Sequence, residues 1–162
     1  MAIPVTRERV DYGSVDGSAL FGAVRQVISG AAATRTLLAS ESGALVLLDR
    51  GTAMTFTLPV IATRDIGMWF EFLCTVIGTS SYSILTDSAT TFIGGGIIGA
   101  SNTVTAFDHF PATIASTVRI DLDSATTGEE VGSQFKLTAL SVTTWGIGGH
   151  TVGTGTPVDP FA

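Results

Sequence analysis

From Arg35 to Ile147 apolar and polar residues alternate with period two, in short Thr- and Val-rich runs broken by turn residues every eight to twelve positions. That spacing predicts an all-β chain, because successive side chains of a strand point to opposite faces. Met54-Thr55-Phe56-Thr57-Leu58 is the clearest case, with Met54, Phe56 and Leu58 on one face, and Pro59 ends it for want of an N–H. Upstream, Thr36-Leu37-Leu38 and Ala44 to Leu48 flank Ser40-Glu41-Ser42-Gly43, which reads as a hairpin turn, and Asp49-Arg50-Gly51 makes the next connection. The first three strands are thus expected to form a meander. Gly67 to Ile77 is the longest apolar run and reads as a central strand buried on both faces, with Glu71 the exception.

Further strands are expected over Tyr82 to Thr86, Thr91 to Gly94, Thr103 to Phe107, Thr117 to Leu122, Gln134 to Leu140 and Thr143 to Ile147. The fold class that results is an antiparallel β-sandwich of jelly-roll type spanning 35–147. Met1 to Thr34 lacks sustained alternation and reads as an extended N-terminal arm, with a short helix expected over Ala19 to Ile28 from the spacing of Leu20, Val24, Val27 and Ile28. Gly148 to Ala162, rich in Gly, Thr and Pro, reads as a C-terminal tail whose Phe161 docks on a surface.

Composition sharpens this picture. Only 14% of the 162 residues are charged while 45% are hydrophobic, against an ordinary charged share of about 25%. Disorder is excluded, and so little charge points to burial by other copies of the chain, since obligate interfaces resemble a core cut in half. Eight Lys+Arg against fourteen Asp+Glu, with Lys136 the sole lysine, argue against a nucleic-acid partner. Ser88 to Phe107 carries no charge but holds too many Gly, Ser and Thr for a membrane helix. Met1 to Leu20 is too polar for a secretory signal, so synthesis in a cytoplasm is expected. Cys74 has no second cysteine to bond and reads as a small buried hydrophobe.

Candidate chemistry is sparse. His109 and His150 have no Ser or Cys neighbour placed as a nucleophile, so no enzyme, cofactor or metal is expected. Asp121 and Asp123 lie two apart on one strand face, and Glu129-Glu130 follows Thr126-Thr127-Gly128. All four read as solvated carboxylates, because the EF-hand glycine and closing Glu are missing. Gly94-Gly95-Gly96-Ile97-Ile98-Gly99 lacks the Lys-Ser/Thr of a phosphate loop and reads as a strand bend or a close contact between subunits. Trp69 and Trp145 are assigned to the core.

Two stretches carry a resemblance. Thr36-Leu37-Leu38-Ala39-Ser40-Glu41-Ser42-Gly43 with Leu47-Leu48-Asp49 and Thr55-Phe56-Thr57-Leu58-Pro59, together with the run from Gly132 through Trp145 to Phe161, are similar to small tailed-bacteriophage virion proteins of the capsid-decoration and head-fibre type. The resemblance implies a non-enzymatic cement protein on the capsid surface of a virion, a homotrimer bridging major capsid protein subunits. A tail fibre or receptor-binding module for a host glycan is the alternative. On that reading Arg7, Arg9 and Arg25 of the arm are expected to contact the capsid, and Ile97 and Ile98 to line the trimer axis.

Overall fold

The computed structural model describes residues 25–30, 32–123 and 125–162. Eleven strands run through them: β1 (Val27–Ser29), β2 (Thr34–Thr36), β3 (Leu45–Leu48), β4 (Met54–Thr57), β5 (Trp69–Cys74), β6 (Tyr82–Leu85), β7 (Phe92–Ser101), β8 (Phe107–Ala112), β9 (Arg119–Leu122), β10 (Gln134–Ser141) and β11 (Thr144–Gly153). They form a seven-stranded sheet ordered β1-β3-β5-β10-β11-β7-β8 and a four-stranded sheet ordered β2-β4-β6-β9. The chain is all-β, as the alternation requires, and among the described residues no helix is long and apolar enough to cross a membrane.

The expected meander does not form. The first six strands alternate between the two sheets, and each lies parallel to the strand two before it, so the chain winds in coils. Five of the nine strand pairings among the described residues are parallel, which departs from the antiparallel expectation. Parallel neighbours require a crossover instead of a hairpin. Here the crossover is the other sheet. Ser40–Gly43 accordingly does not close a hairpin; a 3-10 turn over Ala39–Glu41 and Gly43, at φ +91°, carry the chain between sheets. Glu41 holds that corner by accepting the Leu38 N–H at 2.9 Å and pairing with Arg35.

Strand limits differ where tertiary pairing extends a pattern. The sheets begin at Val27, inside the expected arm, and residues 25–28 are not helical; the remainder of the expected helix, with Arg7 and Arg9, lies outside the described residues. The glycines at 94–96 do not end a strand, because pairing on both sides carries Phe92–Ser101 through them as one ten-residue strand. The strand expected over Thr103 to Phe107 is displaced accordingly and runs over Phe107–Ala112 as β8. At the other end Gly148–Gly153, assigned to the tail, continue β11 beside β10 and β7. Beyond them, Phe161 bridges Ile120, and the Ala162 carbonyl accepts the N–H groups of Val118 and Arg119, each at 2.8 Å, so the terminal residues lengthen the smaller sheet next to β9.

One apolar core lies between the sheets. Phe72 of β5 stacks on Phe135 of β10 at 5.3 Å and meets the edge of Phe56 of β4, across the sheets, at 6.0 Å. Met54, Phe56 and Leu58 point inward as their spacing dictates, and Trp145 is fully buried against Phe70. The run 67–77 is central but not buried on both faces: Phe70, Phe72 and Cys74 face the core, Trp69, Glu71 and Leu73 the outside, while Val76 and Ile77 are exposed.

Candidate functional site: a glycine-floored trough

The outer face of the seven-stranded sheet carries an unusual stripe. Across β10, β11 and β7 the register sets Thr138 beside Gly146 and Gly146 beside Gly94, then Lys136 beside Gly148, then Gln134 beside His150 and His150 beside Ile98. Paired residues share a face, so two rows have glycine where the outer surface would hold side chains. Leu140 leans over Gly146, Ile114 over Gly94 and the His109 ring over Gly96, while a Cβ on Gly148 would meet nothing within 4 Å. The result is a trough with two adjoining hollows of about 240 and 380 Å³, which share Lys136 and Gly148 in their walls.

One end of the trough is polar and tightly organised. The Arg25 guanidinium donates to Glu71 at 2.5 Å and to the carbonyls of Gly43 at 2.7 Å and Ala44 at 3.0 Å, and Gln134 donates to the other Glu71 oxygen. Burial pushes the Glu71 carboxyl up, but the hydrogen bonds from Arg25 and Gln134 and the charges of Arg25 and Lys136 outweigh it and hold the group below its usual range. Trp69 sits between two cations, Lys136 Nζ 4.3 Å and Arg25 Cζ 4.8 Å from its ring centroid. Trp69 is therefore an outer-face residue and not the core residue assigned from sequence. Among the described residues Lys136 has no carboxylate within ion-pair distance, so its ammonium stays available on the trough wall.

Apolar side chains flank the trough. Leu140 and Ile114 lie over the row of Gly146 and Gly94, Ile98 stands in the row of Gln134 and His150, and Phe107, paired with Ala100, lies further out on β8, the edge strand; all four are half or more exposed, Phe107 at 81%. Ile97 and Ile98 separate here: Ile98 faces out beside His109 and His150, whereas Ile97 is 1% exposed and belongs to the core. Arg25 is likewise no free arm residue, since its guanidinium ties β1 to β3 and β5. Arg25→Ala is expected to cost about 1–2 kcal/mol near neutral pH. Glu71, held low in the folded chain, contributes stability above its unfolded value and loses it as pH falls, so the variant's deficit should shrink at about pH 3. Urea unfolding at both pH values checks this, and equal deficits would show that the ion pair adds nothing.

The remaining candidates are dispersed. His150 Nε2 lies 3.0 Å from the Gly132 carbonyl, not beside a nucleophile. Asp121 accepts from Ser83 at 2.6 Å and pairs with Arg119 at 2.6 Å. Asp123 instead caps its own loop, accepting the N–H groups of Ala125, Thr126 and Thr127 at 3.1, 2.6 and 2.9 Å; burial pushes its carboxyl up, and these bonds bring it below its usual range. Among the described residues no three His, Cys, Asp or Glu side chains gather as a metal site. Gly95 does mark a strand bend, with φ +114°, but its close neighbour is β11 of the same chain. Glu129 and Glu130 are 0% and 8% exposed, so they are not the solvated loop carboxylates expected. Comparison with protein-family models, with curated proteins and with solved structures finds no match.

Proposed function

We propose that the chain is a structural virion protein, a capsid-decoration protein that joins with its own copies as a trimer and bridges subunits of a bacteriophage major capsid protein. The observation that carries this reading is the outer face of the seven-stranded sheet, where Leu140 and Ile114 stand exposed over a glycine floor with a single ammonium on its wall, and Ile98 and Phe107 add exposed apolar surface along the same face. Glycines let a partner backbone approach closely, apolar rims favour burial, and one cation without a carboxylate partner of its own fixes register by requiring an anionic or acceptor group from the partner. Repetition over a symmetric shell then multiplies each modest contact. The arm, with Arg7 and Arg9, adds contact to the capsid, and Ile98 to the neighbouring copy.

Gly148→Leu tests the trough as the contact face. The backbone there is not left-handed and an added Cβ meets no atom within 4 Å at the mouth of the two hollows, so the melting temperature should stay within about 2 °C while co-sedimentation with expanded empty heads weakens at least about tenfold. Unchanged head binding would remove the trough from the interface, and a wild-type chain that stays monomeric and ignores heads would overturn the class. The outward-facing Trp69 near a hollow favours one alternative, glycan recognition by a tail fibre. Binding to a glycan array that Gly148→Leu abolishes would put that reading first.

A further inference from the structure

We infer that Glu129 is a proton-held latch that fastens the 123–130 loop, and with it the C-terminal segment, to the body of the fold. The inference is independent of the virion reading. This loop is a hub: the Ala125 carbonyl accepts from the N–H groups of Thr154 and Gly155 at 3.1 and 2.6 Å, the Thr126 carbonyl accepts from Val158 at 3.1 Å, and the Glu130 N–H donates to the Val152 carbonyl at 3.0 Å. From its C-terminal end the Glu129 side chain passes wholly inside, into space left by Gly78. A Cβ on Gly78 would overlap Glu129 Oε1 outright and stand 3.0 Å from the Ser80 carbonyl oxygen.

Both carboxyl oxygens are buried without a hydrogen-bond partner. Their surroundings are rich in oxygen acceptors. The Tyr82 hydroxyl has a single proton, for which the Glu129 carboxyl competes with the carbonyls of Arg50 and Val76, and the Cys74 thiol points to the carbonyls of Val76 and Glu129 itself. The charges that act on Glu129 are those of Asp123 and Glu130, both of its own sign. An ionised carboxylate in such a place carries a desolvation cost that one shared hydroxyl proton compensates poorly, whereas the neutral acid adds a donor to a cluster crowded with acceptors. The other groups facing it keep their state: burial pushes the Cys74 thiol up to about 12, burial and the Glu129 charge push the Tyr82 hydroxyl up, and Asp123 is held low. Burial pushes Glu129 up to about 7, with Tyr82 opposing and the two carboxylates adding to the rise.

Closed, the loop binds a proton that the open, solvated loop releases, so opening is least favourable at or below the ordinary glutamate value. It then rises about tenfold per pH unit to near pH 7 and levels off above it, a total of about 300-fold. Hydrogen exchange at about pH 5 and about pH 7.5, corrected for intrinsic rates, should show about sixtyfold of that rise for segments 125–130 and 154–162 and a flat response in Glu129→Gln. A wild type without the rise, or an equal rise in Glu129→Gln, overturns the latch. A calcium arm at the higher pH is included, and restored protection there would make the site a cation site and overturn the proton reading. Should the variant not fold, ¹³C-glutamate NMR of the wild type decides: one side-chain resonance titrating near pH 7 is expected, and its absence overturns the inference.

Discussion

Phe72→Ala is expected to remove about 4 kcal/mol of folding stability and to lower the melting temperature by about 10 °C. Phe72 is fully buried at the centre of the larger sheet and touches both layers, stacked on Phe135 in its own sheet and edge-on to Phe56 in the other. Truncation deletes the transfer energy of the ring and leaves a void that rigid strands on either side cannot close. Two lost aromatic contacts add about 0.5–1.5 kcal/mol each. Urea and thermal unfolding of the variant measure the effect, and a loss below about 1 kcal/mol would contradict the packing described.

Gly95→Ala is expected to destabilise the chain by about 3 kcal/mol. Gly95 holds φ at +114°, a region L-residues rarely occupy, and its added Cβ would collide with the Ile147 carbonyl oxygen of β11. That neighbour is backbone in a paired strand, so relief requires β7 and β11 to separate along the middle of the sheet. Gly148→Ala is the control, since it meets no atom within 4 Å and should change stability by less than about 0.5 kcal/mol. The two variants compared by chemical denaturation separate the role of the bend from the role of the open floor.

Sequence alone reaches the strands more readily than their partners. Period-two alternation places Met54, Phe56 and Leu58, and Phe135, Leu137 and Ala139, on the buried faces they occupy. The same alternation serves parallel and antiparallel pairing alike, so nothing local announces that Leu45–Leu48 joins Trp69–Cys74 and not Met54–Thr57. Pairing partners are chosen by contacts many residues away. Trp69 is within reach of sequence reasoning: once Phe70 and Phe72 face inward, Trp69 and Glu71 must face outward, and the solitary Glu71 marks that face. The trough also leaves a trace, because Gly94 and Gly96 match Gly146 and Gly148 at spacing two, although only the β7–β11 register brings the strands side by side. Glu129 leaves none. Its burial depends on Gly78, far upstream in the chain, and a glutamate after Thr-Thr-Gly reads as any exposed turn.

The middle of the larger sheet is filled last. β10 and β11 lie between β5 and β7 in space but follow both in the chain, and β5 must wait about sixty residues for the strand that covers its free edge. A ribosome thus releases Phe70 and Phe72 well before Phe135 and Trp145 exist to cover them. Loop closure over such separations places folding of this topology in the range of about milliseconds to seconds. The half-made chain meanwhile displays an apolar, unpaired strand edge, so the nascent protein depends on prompt completion or on chaperone cover to escape aggregation.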